Sequence, residues 1–133
     1  MPQVSKREID PKIKTQIIDS FALLIKDLNN ITDTEKFLSS VLSETEKLMI
    51  GKRIAAAFLL RHNIESKKIQ DILKLTPSTV FRLRLWIQTH QDGFDVIFEK
   101  LEKQRRTETA KNILYQILDY AIKAGLNRKI PKL

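Results

Sequence analysis

A chain of 133 residues, 42% hydrophobic and 30% charged, has the composition of one small globular domain rather than of a disordered segment. It has no cysteine, which excludes disulfides and thiolate metal sites and suits a reducing cytoplasm, the compartment expected here. The net charge of +8 is concentrated, with +4 over residues 61–90 and +5 over residues 101–133, and such blocks attract polyanions, nucleic acid first and anionic lipid second.

Residues 1–8 carry no apolar core of a secretory signal, and nowhere do about 18 apolar residues run together, so neither export nor a membrane span is expected. Asp10-Pro11 reads as an N-cap followed by proline at the first helical position. Ile13, Ile17, Phe21, Leu24 and Leu28 then recur at helical spacing until Asn29-Asn30. Thr32 with Glu35 has the form of a capping box and predicts a short helix to Val41. Ser43 with Glu46 repeats the device and opens a longer helix to about Arg61, with a break at His62-Asn63. Helices are predicted over residues 65–74 and 77–89, then a turn at Gln91-Asp92-Gly93 and a helix over residues 94–104. A last helix is predicted from Thr107 to Ala124, stopped by Gly125 at C′, before a basic tail with Pro131. No segment alternates with period two, so the fold class is all-α with about seven helices.

Residues 69–83 carry the most information. Ile69, Leu73 and Leu75 can face inward from one helix and its turn, and Val80 and Leu83 from the next. Thr76 is a good N-cap and Pro77 fits the first helical turn. Two helices joined by so short a turn are a helix-turn-helix, spanning about residues 65–89 and centred on residues 69–85, whose second helix can enter the DNA major groove. The outward face of that second helix shows Ser78, Thr79, Phe81 and Arg82. Arginine suits guanine O6 and N7, the hydroxyls suit several base edges, and a ring suits a thymine methyl. Lys67, Lys68 and Thr76 are placed to meet phosphates or flanking backbone.

From about Phe37 to Leu101 the chain resembles the Trp repressor family. The likeness rests on residues 42–46 (Leu-Ser-Glu-Thr-Glu), residues 51–54 (Gly-Lys-Arg-Ile), Ile69 through Leu73, and residues 78–82 (Ser-Thr-Val-Phe-Arg). These occur in the family's order, with one residue fewer between Arg53 and the recognition helix. The resemblance implies an intertwined homodimer in which the N-terminal helices of both chains interlock and each subunit reads one operator half-site. It also implies a division into a DNA-binding domain over residues 1–104 and an additional C-terminal helix and basic tail over residues 105–133. Arg53 and Arg82 match the two arginines that sandwich tryptophan in the family's ligand-binding member. Here Leu83 replaces a glycine beside that pocket and Trp86 a serine within it, which argues against free tryptophan as corepressor. Arg53, Arg82 and Trp86 are the candidate effector pocket. The turn also departs from the usual helix-turn-helix pattern, with Lys74 where glycine is common and Gln70 where a small residue is common. A non-glycine residue held left-handed costs about 1 kcal/mol.

Two apolar stripes are broad enough for a partner helix: Ile13, Ile17, Phe21, Leu24, Ile25 and Leu28 near the start, and Ala110, Ile113, Leu114, Ile117, Leu118 and Ala121 near the end. Together they point to a core shared by two chains. Lys103, Arg105, Arg106, Arg128 and Lys129 could add phosphate contacts. His62 and His90 lie on separate segments without a carboxylate cluster, and no nucleophile, paired-carboxylate or phosphate-loop pattern is readable, so no metal, cofactor or catalysis is expected. The leading expectation is a homodimeric, sequence-specific binder of double-stranded DNA that regulates transcription, as a repressor. The alternative is a non-catalytic helical adaptor whose basic surface binds RNA, acidic protein or membrane.

Overall fold

A computed structural model of the chain describes residues 7–107 and 113–127. The described residues form seven helices and no strand: α1 (Pro11–Lys26), α2 (Ile31–Val41), α3 (Glu44–Arg61), α4 (Ser66–Leu73), α5 (Pro77–Thr89), α6 (Gln91–Thr107) and α7 (Ile113–Asn127). None of these helices is long and apolar enough to cross a membrane. The chain divides into two compact units, residues 1–50 and 51–133, with the boundary inside α3.

In the first unit, Asp10 caps α1 by accepting from the Lys12 amide at 2.8 Å, with Pro11 in the first turn. Helix α2 starts earlier than the Thr32–Glu35 pattern predicts. Asn30 has extended backbone, its side chain accepts from the Asp33 amide at 2.8 Å, and its own amide group reaches the Asp33 carboxylate. Asn30 is thus the N-cap, braced by the Asp33 side chain, and Thr32 falls inside the helix. The capping box at Ser43 has the expected form: Glu46 N–H donates to Ser43 Oγ at 3.1 Å, and Ser43 N–H donates to the Glu46 carboxylate at 3.0 Å. Phe21 of α1 stacks on Phe37 of α2, centroids 6.3 Å apart. Neither α1 nor α2 buries a single residue.

The second unit holds the core. Five consecutive α3 residues, Ala55 to Leu59, are buried, so this stretch is enclosed on every side. Ile69 from α4, Val80 from α5, Phe94 and Phe98 from α6, and Leu118 and Ala121 from α7 close around it. Phe58 meets the rings of Tyr115 at 5.0 Å and Phe98 at 6.2 Å. Most of the apolar stripe of α7 (Leu114, Ile117, Leu118 and Ala121) therefore packs within its own unit, while Ile113 stays exposed and the stripe of α1 is left open; Ala110 lies outside the described residues.

Two helix ends in this unit share one geometry. Asn63 (φ 60°) and Lys74 (φ 54°) are left-handed, and the next amides, Ile64 and Leu75, donate back to Leu59 and Gln70 at 3.1 and 3.0 Å. These are Schellman closures, and Ile64 and Leu75 both pack on the core. Asparagine accepts the left-handed region readily; lysine gains no such relief.

Two expected boundaries differ. Gly93 lies within the first turn of α6, which begins directly after His90, and no glycine among the described residues adopts positive φ, so there is no separate turn at 91–93. Helix α7 continues through Gly125 to Asn127 for the same reason, because a glycine with helical φ does not break the ladder. The basic tail over residues 128–133 and the start of the last predicted helix at residues 108–112 lie outside the described residues.

Candidate nucleic-acid interface

Helices α4 and α5 are joined by Lys74, Leu75 and Thr76 alone. The Schellman closure ends α4, and Thr76 starts α5: its side chain accepts from the Thr79 amide at 3.2 Å. Thr76 Oγ1 also lies 2.7 Å from Thr79 Oγ1 and 3.3 Å from Ser78 Oγ, a small hydroxyl cluster at the head of α5. Ile69 and Val80, both fully buried, fix the two helices to each other, with Leu73, Leu75 and Leu83 packed beside them.

This leaves one face of α5 outward. Ser78, Phe81 and Arg82 are exposed, Phe81 at 61%, and Thr79 is half-buried. The Arg82 side chain has no hydrogen-bond or ionic partner among the described residues. A free guanidinium, a hydroxyl and an apolar ring thus share the first two turns of a helix whose start carries three hydroxyl groups. Such a set can donate to paired acceptors and cover a methyl group.

The two lysines of α4 differ. Lys67 is exposed and lies 3.5 Å from Asp71, one turn on. Lys68 is half-buried and directs Nζ to the backbone carbonyl of Ala121 on α7 at 3.4 Å. The sequence places both on the same basic lead, but the structure gives one to solvent and the other to the C-terminal helix. Lys103, Arg105 and Arg106 lie on α6, and Arg128 and Lys129 lie outside the described residues.

Of the candidate effector residues, Arg53 and Trp86 come together and Arg82 does not join them. The Arg53 guanidinium sits 5.8 Å from the Trp86 ring centroid, within cation–π range. His90 stacks on the same indole, its ring 4.0 Å from that of Trp86 and 15° from parallel. His90 Nδ1 is further held 2.8 Å from the Trp86 carbonyl and 2.9 Å from Thr89 Oγ1. The indole is thus engaged by the chain's own side chains. Sequence reasoning gave His90 no role, although its four-residue spacing from Trp86 on one helix face was the available signal. No group of three or more histidine, aspartate or glutamate residues that could hold a metal ion occurs among the described residues.

Among the described residues the fold and this site define an all-α arrangement of seven helices presenting a short-turn helix pair. No protein-family model, no curated protein and no solved structure matches the chain.

Proposed function

We propose that this protein is a sequence-specific binder of double-stranded DNA and a transcriptional regulator of the Trp repressor type, acting as a homodimer. The observation that carries the reading is the outward face of α5, where Arg82, without a partner among the described residues, stands with Ser78 and Phe81 on a helix fixed from behind by buried Val80. The stripe of α1, with Ile13, Ile17, Phe21 and Leu24 all exposed, supports a second copy as its cover. The engagement of Trp86 by Arg53 and His90 supports the view that free tryptophan is not the effector.

The test is selection of duplexes from a random pool with the oligomeric state measured alongside. The preferred duplex should bind about a thousandfold or more tighter than random DNA, with palindromic halves roughly 34–36 Å apart or a multiple of that. Arg82→Ala should cost about 1–3 kcal/mol on the selected duplex and relax base preference at one position, whereas Lys67→Ala should weaken all duplexes alike and flatten the salt slope by about one unit. Equal affinity for selected and random duplexes would refute the reading and favour a non-specific adaptor.

A further inference from the structure

A cleft of about 360 Å³ opens in the second unit among α3, α5 and α6. Its size lies within the range of small-molecule pockets, roughly 300–1,000 Å³. It is separate from the Arg53–Trp86–His90 stack, none of whose residues line it. Its floor is apolar, made by Ala57, Leu60 and Ile87 with the rings of Phe94 and Phe98.

The polar groups of the cleft are not equivalent. Arg61 donates to the Asp95 carboxylate at 2.8 Å, and its guanidinium lies 4.7 Å from the Phe98 ring centroid. That arginine is neutralised by Asp95 and anchored on the ring. Arg84 also lines the cleft, and its side chain has no hydrogen-bond or ionic partner among the described residues; the same holds for Gln88 and Gln91. The site therefore offers one uncompensated positive charge, two amides and an aromatic floor. A bare inorganic anion would leave the floor wet, and a neutral apolar molecule would leave Arg84 unused.

We propose that this cleft binds a small organic monoanion, its carboxylate on Arg84 and its apolar body over Phe94 and Phe98. A guanidinium receives a carboxylate through two parallel hydrogen bonds, but at an exposed site that pair alone contributes little, so the body on the floor supplies much of the affinity. Arg84, Ile87 and Gln88 belong to α5, the helix that carries Ser78 and Arg82. An occupant would tie the second half of α5 to α3 and α6, and would act as an effector of DNA binding; this consequence alone rests on the function proposed above.

The experiment titrates the full chain with phenylacetate, and with phenethylamine as the same ring bearing the opposite charge, by calorimetry and amide chemical shifts. Phenylacetate should saturate with a Kd of about 1 mM, in keeping with so small a ligand, and shift amides of α3, α5 and α6. Phenethylamine should bind at least roughly tenfold more weakly, and Arg84→Gln should weaken phenylacetate by roughly tenfold. Gln88→Trp, which sets an indole at the rim, should abolish binding with an unchanged melting midpoint. Absence of saturation by about 10 mM phenylacetate, equal binding of the amine, or full binding by either variant overturns the proposal. The titration uses no DNA, so its failure is distinguishable from failure of the DNA reading. Duplex affinity that does not change with saturating phenylacetate overturns the effector role.

Discussion

The two units carry the same kind of sequence signal and use it in opposite ways. Helix α1 and helix α7 each present an apolar stripe at helical spacing. In α7 all of that stripe but exposed Ile113 packs inside its own unit among the described residues, with Leu118 and Ala121 buried and Leu114, Tyr115 and Ile117 against the core. In α1 it stays in the open, with Ile13, Ile17, Phe21 and Leu24 exposed and nothing buried. An amphipathic stripe states that a helix requires a cover; it does not state whether that cover belongs to the same chain.

The largest effect should come from the core of the second unit. Ile69→Ala empties a fully buried position where α4, α5 and α7 converge and should cost about 2–5 kcal/mol in denaturant unfolding. A loss below that range would mean the core is looser than its burial indicates. Next, Ile17→Asp should leave the unfolding of the second unit nearly unchanged and weaken self-association by about ten- to a hundredfold in sedimentation, since it sets a charge in the stripe proposed to be shared. Unaltered association would remove α1 from the dimer contact. Smaller again, Lys74→Gly should stabilise by up to about 1 kcal/mol, because glycine takes the left-handed closure of α4 without strain. A melting midpoint that falls instead would show that the lysine side chain contributes something the backbone geometry does not reveal.

The smallest effect concerns Glu46. The Ser43 backbone N–H, and after it the Ser43 hydroxyl, hold its carboxyl below the ordinary value of 4.5. Because the folded value is the lower one, the stabilisation is present above the ordinary glutamate range and disappears as pH falls through the folded value. Wild type should therefore lose stability relative to Glu46→Gln on acidification below about pH 4.5, with no change in their difference nearer neutrality. A difference that stays constant through the acid range would dissociate the carboxylate from the cap.

What could be read from the sequence was local. Ser43 and Glu46 are three residues apart, Thr76 directly precedes Pro77, and both ends were legible from those pairs. The cap of α2 was misplaced because Asn30-Asp33 and Thr32-Glu35 satisfy the same spacing rule, and only backbone dihedrals choose between them. Gly93 and Gly125 misled because glycine permits a break without requiring one. The helix-pair face was legible for Ser78, Phe81 and Arg82 because their neighbours Val80 and Leu83 point inward. The different fates of Lys67 and Lys68 were not, since Lys68 reaches a carbonyl 53 residues further along the chain. The partnership of Arg53 with Trp86 and the cleft beside Arg84 likewise arise only when α3, α5 and α6 assemble.

The docking of α7 has a consequence for biosynthesis. Translation delivers this helix well after α3 and α4, yet Tyr115 packs on Phe58 and Lys68 ties α4 to the Ala121 carbonyl. Until the ribosome has released that segment, the nascent polypeptide displays a greasy notch on α3 and α4 that chaperones can seize and that premature termination would leave permanently unsealed.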